Sequence, residues 1–240
     1  MHDLYVGTRM AALCQGGQAI FVAAVNDTDA ALAALSPPLA KLGGRSKLRI
    51  WLSGGLCRPF IVPAVPGIRG TVEWQRTAAA LAPQRTGLAG PCRVWVDAVK
   101  GDAPRVAVVM QESWFEQLMA FVEANRTRGH SLASIRPWWA DVLRAAHARD
   151  PQLRAMATQD CDSLTVLVSA PPNEGGFSLA STLTPVTDRD AAESALARLL
   201  LSADVDAAQS LTARLIQQPQ EPADAAKAGL AMSALTEWSR

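Results

Sequence analysis

Tyrosine is nearly absent from this 240-residue chain, with Tyr5 standing alone against seven tryptophans, and histidine occurs only three times. Cysteine is also sparse. Cys14, Cys57, Cys92 and Cys161 lie far apart with no C-x-x-C pair, which argues against a metal knuckle or a dithiol redox motif. Reduced, mostly buried thiols and a reducing cytoplasm fit this usage. Charge is low, at 19% of residues, and balanced to a formal net charge of +1, with the arginines spread along the chain. A nucleic-acid surface needs a local excess of Lys and Arg to neutralise phosphates, so nucleic acid is not an expected partner. No apolar stretch reaches the roughly eighteen residues of a membrane span. The opening Met1-His2-Asp3-Leu4-Tyr5 lacks the basic and apolar regions of a signal peptide.

What is present is enough apolar material, 49% of residues, to bury a proper core in one domain of two lobes or two small domains. Leu4–Val6 and Ala11–Leu13 flank Gly7, and Gln15-Gly16-Gly17-Gln18 turns into Ala19–Val25, an opening hairpin. Asp27 or Thr28 caps a helix to Leu42 that Pro37 and Pro38 should break or restart. Leu48–Leu52 reads as a strand, and Cys57–Val65 as an edge strand because Pro59 and Pro63 lack ladder donors. Thr71–Leu81 suits a helix ended by Pro83 and Gly87, and two strands follow, Arg93–Val99 and Arg105–Met110, joined at Gly101-Asp102.

Val106–Ile135 reads as a βαβ unit, with Trp114, Leu118, Phe121 and Val122 as the helix face that packs on a sheet. Pro137 leads into another helix. Leu164–Val168 and Phe177–Leu183 form a hairpin across Pro171–Gly176, followed by a helix from about Asp190 to Leu201 and alanine-rich helix interrupted near Pro219 and Pro222.

This order of parts resembles the actin-like fold, in particular its reduced forms in the GspL and PilM proteins, cytosolic assembly components of type II secretion and type IV pilus machines. Four passages carry the likeness: Lys47–Ser53 with Cys57–Val65 and Pro66-Gly67, then Gly70–Leu81, Val106–Ile135, and Ile135-Arg136-Pro137-Trp138-Trp139-Ala140-Asp141-Val142-Leu143. The resemblance implies an α/β, reduced actin-like (RNase H-like) fold of two lobes, with mixed sheets and flanking helices. It implies an actin-like domain over 1–218, a small inserted subdomain at roughly 45–136, and a helical tail at 219–240.

Departures from the superfamily are informative. Nucleotide-binding members open on a D-x-G hairpin, where a carboxylate organises the metal and backbone N–H groups cradle phosphate, but this chain has Tyr5-Val6-Gly7. A second phosphate hairpin, expected near Ser163–Phe177, also lacks D-x-G. Other candidate chemistry is thin. His130-Ser131 with Asp141 supplies the residue types of a triad without a G-x-S-x-G elbow. His147 reads as a structural residue near a helix C-terminus, and Asp160-Cys161-Asp162 as a turn cap. Gly16-Gly17, Gly43-Gly44 and Gly54-Gly55 read as turns.

Trp51, Trp74, Trp95 and Trp114 fall where sheet and helix faces should bury them. Trp138 and Trp139 point about one hundred degrees apart on a helix, so either one is an exposed anchor or a second layer covers it. The tail with Leu230, Leu235 and Trp238 either docks on its own domain, adds to a homodimer or stays loose.

The combined expectation is a non-enzymatic scaffold with no cofactor and no metal, cytoplasmic and peripheral at the inner face of the inner membrane. Its partner-binding residues would be Arg136, Trp138 and Trp139. Its partners would be inner-membrane assembly-platform proteins and the assembly ATPase. With no span following, the soluble PilM-like arrangement or a stand-alone GspL-like domain is implied. The rivals are a nucleotide-binding actin-like ATPase or kinase, and an unrelated α/β domain with a small-molecule pocket.

Overall fold

Gly16 and Gly17, both left-handed at φ 59° and 83°, close a two-residue turn that only glycine-like residues make cheaply. This turn joins β2 (Met10–Gln15) to β3 (Gln18–Ala24), and β1 (His2–Val6) lies on the other side of β2. A computed structural model describes residues 1–68, 70–97, 103–149, 155–160, 163–170, 177–186, 189–202, 213–217 and 236–238. β4 (Ser46–Leu52) and β8 (His130–Pro137) extend the meander in parallel, giving the order β3-β2-β1-β4-β8. Leu4 and Val6 with Leu48, Ile50 and Leu52 face one core, and Tyr5 with Trp51 faces another, as the period of two requires. Strands buried on both faces carry apolar residues throughout.

α1 (Thr28–Lys41) covers the first of these faces. Asp27 is its cap, accepting the Ala30 N–H at 2.7 Å. The helix runs unbroken through Pro37 and Pro38, contrary to the sequence expectation. Buried Ala31, Leu32 and Leu35 before the prolines and Leu39 after them hold both halves on the sheet, and the Ser36 hydroxyl donates to Leu32 O. Tertiary packing outweighs the local penalty here. α2 (Thr71–Thr86) likewise continues past Pro83 and stops at left-handed Gly87.

The unit read as βαβ is a different object. β7 (Arg105–Gln111) belongs to a separate sheet, β5-β7-β6, with β5 (Arg58–Val62) and β6 (Cys92–Val96) antiparallel to it. The parallel pair that α3 (Glu112–Arg126) connects is β4 and β8, and the small sheet with α2 interrupts that crossover. The inserted sheet with its helix occupies 58–111, and both strands that flank it, β4 and β8, pair into the first sheet. Trp114, Leu118, Phe121 and Val122 do form the buried stripe of α3. β5 is an edge, as Pro59 requires.

After α4 (Trp138–Arg149), the first order of strands recurs. β9 (Ala155–Asp160), β10 (Ser163–Ser169) and β11 (Phe177–Leu183) form a second meander, α5 (Arg189–Ser202) covers it, and β12 (Ala213–Gln217) pairs parallel to β9. β13 (Thr236–Trp238) completes the order β11-β10-β9-β12-β13. Helix was expected at these last two strands. Alanine-rich sequence favours helix locally, and the pairing of β12 with β9 and of β13 with β12 overrides it. The rest of 219–240 lies outside the described residues.

Candidate functional site

Both tryptophans expected at a partner surface are inside the protein. Trp138 and Trp139 are 6% and 4% exposed, in one cluster with Tyr5 and Trp51 of the first sheet and Met156 and Leu167 of the second. α4 lies between the two sheets, so side chains one hundred degrees apart both meet protein. The Trp139 indole N–H donates to Cys57 O at 2.9 Å, fixing the ring against the start of the inserted segment. Neither ring is a free anchor. Arg136 is exposed and lies 3.7 Å from Asp141, which also pairs with Arg144.

Among the described residues the exposed tryptophan is Trp95, expected in the core and found 42% exposed. β6 buries Val94 against α2 and turns Trp95 to the opposite, open face, beside Phe115 at 5.7 Å between ring centroids. This face is one wall of a groove of about 680 Å³, with Val108, Met110, Phe115 and Met119 below and Leu132 and Ile135 of β8 opposite. A second hollow of about 800 Å³ shares Trp95, Val108 and Pro137 and continues past Trp139 to Met156, Leu167 and Phe177. The two form a continuous apolar trough. Trp95 and Met119 are two of the six large apolar residues found exposed among the described ones, and both line this groove.

Both long walls are sheet edges, since β6 ends one sheet and β8 ends another. Asp97 N–H donates to Val106 O, and Pro91 O accepts from Glu112 N–H, so the odd-numbered residues of β6 pair with β7. Cys92, Val94 and Val96 therefore turn their backbone groups to the groove. Gln75 donates to Val94 O at 3.2 Å, covering one of them. The cations at the rim are matched: Arg93 lies 3.1 Å from Glu112 and stacks over Phe115, while Arg136 and Arg144 share Asp141. The trough is apolar within and nearly neutral at its rim.

The repeated strand order makes the connection between β9 and β10 the counterpart of the one between β1 and β2. Residues 161 and 162 lie outside the description, but Asp160 is placed. Its carboxylate accepts from Gly54 N–H at 2.9 Å and from the Ser163 hydroxyl. Ser53 N–H in turn donates to Val6 O, so the segment after β4 bridges the two hairpins. Open α/β sheets commonly bind ligands beyond the carboxyl ends of their strands. Here Gly54 fills that place, so tightly that an added Cβ would lie 2.2 Å from Thr165 Oγ1. Tyr5, beside the first turn, is fully buried.

The triad residue types do not meet. His130 Nδ1 is 2.7 Å from Ser46 Oγ, and Asp141 is held by arginines. The side chain of His147 lies outside the description. Among the described residues, no three His, Cys, Asp or Glu side chains are grouped to hold a metal ion. His2 packs edge-on to His130 at 6.5 Å. Burial foremost, then the terminal amine and His130, holds the His2 ring below its ordinary value of 6.5. A depressed histidine stabilises the fold as the neutral ring, so this contribution is complete above pH 6.5 and is lost as pH falls below it. His2→Gln should flatten the loss of stability between about pH 7.5 and about pH 5.5, read as urea midpoints.

Two meanders, each followed by a helix and a parallel strand, with a small sheet inserted in the first, make this an actin-like fold. Solved structures that match the chain include the following three. The cytoplasmic domain of EpsL, an inner-membrane component of the type II secretion system of Vibrio cholerae, matches at TM-score 0.51 and 13% identity, over 92% of this chain and 84% of that one. A Bacteroides thetaiotaomicron protein of actin-like ATPase fold and unknown function matches at 0.57 and 11% identity, over 95% and 86%. A chain of the PilM–PilN type IV pilus biogenesis complex matches at 0.50 and 13% identity, over 90% and 80%. No family model and no curated protein matches the sequence. The likeness is one of fold, and it is the fold that the GspL and PilM resemblance implied.

Proposed function

We propose that this protein is a non-enzymatic scaffold of a type II secretion or type IV pilus inner-membrane assembly, and that the trough between β6 and β8 receives a short extended segment of a partner protein. The observation that carries this reading is the pair of sheet edges facing each other across an apolar groove. An extended segment there gains main-chain hydrogen bonds from β6 and side-chain burial from Trp95, Phe115 and Met119. The PilM–PilN complex supplies the class of partner. No helix among the described residues is long and apolar enough to cross a membrane. Arg136, at the rim, would contact the segment, whereas Trp138 and Trp139 would support the floor from beneath.

The nucleotide-dependent alternative is disfavoured by Tyr5 at the first turn and by the filled space at Gly54. Calorimetric titration with peptides tiling a PilN-type protein should give one saturable peptide, weakened at least tenfold by Trp95→Ala, and no heat with Mg-ATP. Binding unaffected by Trp95→Ala would move the site elsewhere. Stoichiometric Mg-ATP binding would restore the enzyme.

A further inference from the structure

The parallel neighbours β4 and β8 begin side by side, with Ser46 opposite His130, so the loops that lead into them lie at the same end of the first sheet. Gly129, left-handed at φ 95°, lets those loops touch: a Cβ there would lie 3.3 Å from Gly44 O. This geometry gathers Lys41, Arg45, Lys47, Arg126 and Arg128, all exposed, from two distant parts of the sequence. The even spread of arginines along the chain concealed that concentration.

Among the described residues, Arg126 is matched by Glu123 at 2.7 Å, while Lys41, Arg45, Lys47 and Arg128 have no ion pair. The trough's arginines, by contrast, are all matched. Lys41 and Arg126 occupy the last turns of their helices, where the helix dipole accounts for a cation. Arg45, Lys47 and Arg128 lie beyond those helices and have no such account. Arg45 and Lys47, with His130 and Ser131, border an open hollow of about 560 Å³.

We propose that this end of the sheet is a membrane-facing surface that binds anionic phospholipid headgroups. Unpaired cations at the entries to two neighbouring strands suit an extended layer of phosphates, and the hollow has no Trp, Tyr or Phe in its lining to stack nucleic-acid bases. Each Lys or Arg near an anionic bilayer strengthens binding by about fivefold. The proposal goes beyond the groove reading and does not need its occupant. It does fit that reading, because β8 leaves this end at His130 and lines the groove at Leu132 and Ile135, about 7 and about 17 Å along the strand.

The test is co-sedimentation of the full chain with phosphatidylcholine vesicles, with and without phosphatidylglycerol, beside an Arg45→Gln, Lys47→Gln, Arg128→Gln triple variant. Binding is expected only to the phosphatidylglycerol vesicles, weakening with salt and falling about a hundredfold in the triple variant. Unchanged thermal stability and groove-peptide affinity in that variant would separate this surface from both folding and the groove. Binding that ignores the three substitutions would overturn the proposal. So would complete competition by millimolar inorganic phosphate, which would mean a discrete anion pocket, or equal affinity for an RNA oligonucleotide, which would mean a general polyanion site.

Discussion

Trp139→Ala is expected to cost about 3–5 kcal/mol of folding stability. For a chain of this size that lowers the melting midpoint by roughly 6–20 °C. The ring is 4% exposed at the junction of the two sheets, and its N–H satisfies Cys57 O, so alanine leaves both a cavity and an unpaired buried carbonyl. Trp138→Ala removes a comparable volume, but its indole N–H has no hydrogen-bond partner among the described residues, so its loss should be the smaller of the two. Trp139→Phe, which keeps most of the packing and loses the hydrogen bond, should fall between wild type and Trp139→Ala. Urea denaturation measures all three. Wild-type stability in both alanine variants, together with lost partner binding, would return these residues to the surface role their sequence suggested.

The second large effect is expected at Gly54, where the two sheets meet. Gly54→Ala drives a methyl group into Thr165 Oγ1 and within 3.1 Å of Ser163 Oγ, while Gly54 N–H is already committed to Asp160. Overpacking of this kind costs about 1–3 kcal/mol, and more where neither wall can yield. Here Thr165 is buried in mid-sheet and its hydroxyl meets Thr182 Oγ1 at 2.9 Å. Thr165→Ala leaves only the Cβ, 3.5 Å from the new methyl, so the Gly54→Ala, Thr165→Ala pair should be more stable than the sum of the single variants predicts. Strict additivity would mean that the clash is relieved by backbone movement. In that case the space between the hairpins is not filled as tightly as Gly54 indicates.

The legible parts of the fold were those in which a local signal and the tertiary outcome agree. The stripe Trp114, Leu118, Phe121 and Val122 on α3 and the Gly16-Gly17 turn needed no knowledge of distant partners. Strand pairing is not local. β7 and β8 flank a helix exactly as a βαβ unit would, yet β7 pairs with β5 and β6. The same limit explains the site. Alternation in β6 placed Trp95 opposite Val94, but only the edge position of β6 shows that the Trp95 face stays open. Conversely, two adjacent tryptophans suggested an exposed ring because one core cannot take both directions, and the second sheet supplies the other wall. Arg45, Lys47 and Arg128 have no sequence signature as a group, since the parallel register of β4 and β8 alone brings them together.

The most direct test of the scaffold account is backbone hydrogen exchange across β6 and β8, with and without a saturating groove peptide. The expected result is slowed exchange at the groove-facing amides of Cys92, Val94 and Val96 and along Leu132–Ile135, with the Gly54–Asp160 region unchanged. Peptide binding that leaves β6 and β8 exchanging as before, and protects another surface instead, would contradict it.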